Sequence, residues 1–143
     1  MEPSSDQILQ KAIAAHKAGK FQDAEGLYKA ILQSQPLHPD ANHNLGVLAV
    51  SVDKVNESLP LFKAAIEANP KIEQFWLSYI DALIKTEMLE KAMWVLKLAK
   101  RSGLGGDKLK ALERQLLLQS KSTDPVGPPK QQLRSLLDHY QRG

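Results

Sequence analysis

The sequence predicts an all-α fold built from antiparallel helix hairpins. Three observations predict it. The chain repeats itself at a step of 34 residues: Pro36 and Pro70 are one such pair, and Ala24, Ser58 and Ala92 are one such series. Within each repeat, apolar residues recur at helical spacing. The punctuation also repeats, with Gly19, Asp53 and Glu87 at the breaks between helical stretches. The composition agrees, since Leu, Ala and Lys are plentiful and aromatics reach only 6%.

Each element follows from its own residues. The repeats run over about 5–38, 39–72 and 73–106, and further matched series are Tyr28, Phe62 and Leu96, and Ile31, Ala65 and Ala99. In the second repeat Leu45, Leu48, Ala49 and Val52 lie at i, i+3, i+4 and i+7, one face of a helix. Leu59, Phe62, Ala65 and Ile66 follow the same rule further on. Gly46 and Ala65 are small where two helices should approach closely. Asn56 is expected to cap the second helix of this repeat and Pro70 to stop it. Pro60 is expected in the first turn or just beyond, where its missing N–H costs little.

The third repeat departs from the pattern. It carries the large Ile80 in the series of Ala12 and Gly46, and Leu104 where the other repeats have Pro. After "GLGG", residues 107–121 read as a capping helix, with Leu109, Leu112 and Leu116 on one face. "STDPVGPP" marks a linker at 122–130. Residues 131–143 then match the start of the first repeat, as the first helix of a further, truncated repeat. The sequence therefore reads as a piece of a longer protein.

The period of 34 residues and the stretches "AGKFQDAEGLYKAILQSQP" and "NLGVLA…ESLPLFKAAIEANP" resemble the tetratricopeptide repeat. The resemblance implies a right-handed α-solenoid of three hairpins plus the cap. One hairpin cannot bury both its faces, so neighbours must stack. It also implies that the first helix of each hairpin lines a concave groove for a peptide or partner helix. Carried onto this chain, the groove residues are Gln10, Ile13 and Lys17, then His43, Asn44, Val47 and Ser51, then Gln74, Leu77, Ser78 and Asp81. Leu9, His16, Val50, Ile84 and Lys85 adjoin them.

In tetratricopeptide arrays of the O-linked N-acetylglucosamine transferase type, an Asn at the place of Asn44 holds the backbone of a bound peptide. A side-chain amide can both donate and accept, as that task needs. The alternative is that Asn44 bonds a neighbouring helix or water. Chaperone-binding arrays instead use a clamp of Lys, Asn and Arg. Here Leu9, Ile13, Gln74 and Ser78 stand at clamp positions and only Asn44 fits, so acidic chaperone tails are not the expected ligand. "QQLRSLLDHYQRG" also resembles the start of arrays in bacterial multidomain proteins, where they precede a glycosyl- or sulfotransferase.

Catalytic and metal chemistry find no support. There is no Cys. His38, Asp40 and His43 cluster in "HPDANH", but their spacing is not that of a zinc site. Asp40 instead suits the first turn of a helix, against the dipole. "GLGG" follows no strand and is not a phosphate loop. The net charge of +3 is too small to indicate nucleic acid. No apolar run reaches the roughly 18 residues of a membrane span. The expectation is a cytoplasmic protein-interaction scaffold without cofactor or metal, a monomer or weak homodimer, and not itself an enzyme. The alternatives are an accessory docking domain of a transferase and a self-association module.

Overall fold

The computed structural model describes residues 2–120. Seven helices and no strand occur among them: α1 (Ser5–Lys17), α2 (Phe21–Ser34), α3 (Pro39–Ser51), α4 (Val55–Ala68), α5 (Glu73–Lys85), α6 (Leu89–Arg101) and α7 (Asp107–Ser120). The all-α class is as expected. The linker expected at 122–130 and the helix expected at 131–143 lie outside the described residues. The chain divides into two compact units, one ending at Asn69 and one beginning at Pro70.

Helix boundaries follow from local chemistry. Ser4 accepts from Gln7 N–H, while the Gln7 side chain accepts from Ser4 N–H, a reciprocal cap on α1. The first helix of every hairpin ends in one way. Gly19, Asp53 and Glu87 adopt φ of +78°, +63° and +60°. The next residue then reaches back to close the turn: Lys20 N–H to Ala15 O at 2.9 Å, Lys54 to Ala49 at 2.8 Å, Met88 to Leu83 at 2.9 Å. Lys20, Lys54 and Met88 are at once the last residues of that turn and the N-caps of the following helices. Three residues therefore connect the two helices of each hairpin.

Two expectations for α4 need correction. The N-cap is Lys54, without a side-chain hydrogen bond, and Asn56 lies inside the first turn. The left-handed residue Asp53 places the start of α4 two residues earlier than the Asn56 cap would. Pro60 consequently falls in the second turn, inside the helix, where an N–H would otherwise donate to the Asn56 carbonyl. Both residues are exposed, so the freed carbonyl faces water.

In the N-terminal unit, α1 to α3 share a core of Leu9, Ala12, Tyr28, Ile31, Leu45 and Leu48, with Leu61 of α4 packed against it. The α3–α4 contact depends on Gly46: a Cβ there would stand 2.5 Å from Phe62 Cε1. In the C-terminal unit, Trp76, Tyr79, Ile80, Leu83, Val95 and Leu96 are buried, with Leu109 and Leu116 of α7. Matched positions are buried alike: Tyr28, Phe62 and Leu96 are each 1% exposed. Burying such a side chain contributes about 1.5–3 kcal/mol.

Candidate functional site

The first helices carry every candidate groove residue, but they present them unequally. On α1, Gln10 and Lys17 are exposed, and Ile13 packs against the core. Gln10 borders a shallow hollow with Pro3, Asp6, Gln7 and Lys11. On α3, Asn44 and Val47 are half-buried. Ser51 is exposed, and its hydroxyl donates to the Val47 carbonyl at 3.0 Å.

His43 is mostly inside. It is buried, and its ring lies 5.5 Å from that of Phe62. Loss of solvation holds its pKa below the ordinary 6.5, against the opposing pull of its hydrogen bond to Asn44 and the charge of Asp40. His43 Nδ1 and Asn44 Oδ1 are 3.3 Å apart, so a proton on Nδ1 fixes the Asn44 amide. His38, by contrast, is a cap: its Nδ1 accepts from Ala41 N–H at 3.1 Å. Among the described residues, no three His, Asp or Glu side chains stand together as metal ligands would.

The third set is brought together. Gln74, Leu77, Ser78 and Asp81 of α5 line one cleft of about 360 Å³. Its other wall is α7, through Lys108, Ala111, Leu112 and Gln115. Leu77 and Leu112 supply apolar surface. Gln74 Nε2 donates to Ser78 Oγ at 3.2 Å. Asp81 pairs with Lys85 at 3.0 Å, a half-exposed contact of small energy. Lys108 is exposed at the edge and gives the lining its unneutralised charge. The two helix ends are tied together, since the Gly106 N–H donates to Glu73 Oε1 at 3.0 Å.

The α7 wall escaped the sequence reading, which gave that helix only a covering role. The signal was present. Residues 108, 111, 112 and 115 stand one repeat step of 34 after 74, 77, 78 and 81. The arrangement holds no nucleophile with an activating base. It can seat an apolar side chain, hydrogen-bond its flanking backbone, and attract an acidic group at Lys108.

The fold of the described residues is that of a helical-repeat protein. Residues 9–51 match the family model described as a tetratricopeptide repeat. No curated protein matches it. Solved structures share the fold. The Sgt2 tetratricopeptide domain of Aspergillus fumigatus is 18% identical, with a TM-score of 0.72 over 90% of this chain and 87% of that one. The first tetratricopeptide domain of Spaghetti (RPAP3), bound to the HSP90 peptide SRMEEVD, is 15% identical, with a TM-score of 0.73 over 83% and 94%. The type III secretion chaperone SycD of Yersinia enterocolitica, in complex with a peptide of the translocator YopD, is 16% identical, with a TM-score of 0.67 over 82% and 89%. Among the described residues, no helix is long and apolar enough to cross a membrane.

Proposed function

We propose that the chain is a protein-interaction scaffold that seats a peptide or partner helix on its first-helix faces. The observation that carries this reading is the α5–α7 cleft, where four candidate residues converge on an apolar floor with a polar rim. Such a surface suits an extended or amphipathic segment with one apolar anchor. Lys108 favours a segment with an acidic residue beside that anchor. Asn44, half-exposed on α3, is the candidate for backbone capture in the N-terminal unit. Two of the structural neighbours are solved with peptides, which supports the reading at the level of the fold. The chaperone clamp residues are missing at Leu9, Ile13, Gln74 and Ser78, so the ligand differs from an acidic chaperone tail.

A peptide-library titration followed by amide chemical shifts tests it. Shifts should cluster on Asn44, Val47, Leu77, Asp81 and Leu112. Ala111→Trp fills the cleft at an exposed position and should weaken binding at least tenfold. Shifts confined to α4 and α6, or affinity unchanged by Ala111→Trp, would sink the assignment.

A further inference from the structure

His43 and Asn44 are neighbours on α3 with opposite surroundings. The His43 side chain is 8% exposed and turns inward. Its ring lies 5.5 Å from that of Phe62, tilted by 43°. Phe62 is itself closely held, since its Cε1 would stand 2.5 Å from a Cβ on Gly46. The imidazole therefore has little freedom to turn. Asn44 is half-buried, on a helix face it shares with Val47 and Ser51 at i, i+3 and i+7.

The contact between the two side chains has a direction. His43 Nδ1 is 3.3 Å from Asn44 Oδ1. An amide oxygen can only accept, so the proton belongs on Nδ1. The planar amide then turns its NH2 away from the ring. That nitrogen is bonded to none of the described residues and remains open to water. Ser78, one repeat step after Asn44, is likewise held as an acceptor, by Gln74 Nε2 at 3.2 Å. The counterparts of His43, Leu9 and Leu77, carry no donor of their own. Given the reading of Asn44 as the backbone-capture residue, we propose that His43 is a positioning residue that makes Asn44 a hydrogen-bond donor, so that the N-terminal unit captures an extended peptide through a backbone carbonyl. An extended chain leaves its carbonyls free, whereas a helix commits them to its own N–H groups until its last turn. A helix lying alongside α3 therefore offers Asn44 nothing to bind. Held this way, Asn44 reads the acceptor of a peptide unit and ignores its N–H, so a proline at that place in the peptide is tolerated.

Three measurements test this. At pH about 8 an imidazole is neutral, and nitrogen NMR of His43 should show the Nδ1–H tautomer. The Nε2–H tautomer would reverse the Asn44 amide and overturn the proposal. Next, a library of linear acetylated peptides should move the Asn44 side-chain NH2 resonances, and the same sequences stapled into helices should not. Equal movement by both sets, or movement by the stapled set alone, overturns it. Last, His43→Phe keeps a ring against Phe62 without a donor. It should weaken the tightest-binding linear peptide of that library roughly two- to tenfold. His43→Gln, which restores an N–H, should recover most of that loss. Equal helical circular dichroism in both variants separates the effect from unfolding. Unchanged affinity in His43→Phe, with Asn44 still moved by peptide, overturns the role of His43 and leaves Asn44 as the capture residue. The Nδ1–H tautomer with Asn44 moved by neither library removes the capture reading itself, and this proposal with it.

Discussion

Trp76 donates its indole N–H to the carbonyl oxygen of Pro70 at 2.9 Å, and Asn42 does the same for Pro36 at 3.0 Å. The two donors stand one repeat step apart, as do the two prolines. An amide and an indole therefore perform one task, tying the start of a first helix to the turn before it. Asn42 also donates to the His38 carbonyl at 3.1 Å. Trp76→Phe keeps most of the ring and removes the donor. It should cost about 1–2 kcal/mol by leaving the carbonyl unpaired, and Asn42→Leu should cost about 1–3. Denaturant melts of each variant check both values. No change in either would mean that water replaces the bond freely.

The α3–α4 contact is the tightest test of packing. Gly46→Ala places a methyl 2.5 Å from Phe62 Cε1, so the ring must move. Overpacking of this kind costs about 1–3 kcal/mol, partly offset by the better helix propensity of Ala, about 1 kcal/mol. Phe62→Leu alone leaves a void, yet it should relieve the Gly46→Ala variant. A double-mutant cycle should therefore show favourable coupling, and additive losses would argue against the contact.

The left-handed turn residues predict stabilisation. Asp53 and Glu87 hold φ of +63° and +60° with side chains that disfavour it. Asp53→Gly and Glu87→Gly should each raise stability by about 0.5–1 kcal/mol, and Gly19→Ala should lower it by a similar amount. Thermal melts of the three variants give the comparison.

Acid should weaken the N-terminal unit through its histidines. Burial holds His43 below its ordinary pKa, and His16 likewise. Above pH 6.5 each is mainly neutral in the folded and unfolded chain alike. As pH falls through 6.5 and below, the unfolded chain takes up protons first, so stability declines. The melting temperature should drop between about pH 7 and 5, and His43→Gln should flatten that slope. An unchanged slope in the variant would mean that His43 titrates as it does in water.

The two prolines of the second repeat show how far local pattern reached. Pro70 stands just past Ala68 and Asn69, where the spacing put the end of α4. Pro60 was misplaced, because the start of α4 is set by the turn at Asp53 rather than by a capping side chain. The register of Gly19, Asp53 and Glu87 was legible, and so was the small residue at Gly46. That α7 continues the repeat step was equally legible but was read only as a cap.

The sequence by itself determined the period, the helix type and the places where helices meet and turn. These are local properties, set by side-chain spacing and by residues that favour or break a helix. Tertiary structure alone decided that His43 turns inward onto Phe62, that Asn42 and Trp76 share one bond, and that α5 and α7 enclose a cleft. Those outcomes depend on which surfaces meet across many residues of chain. A one-dimensional pattern records that a face is apolar or polar, but not what stands opposite it.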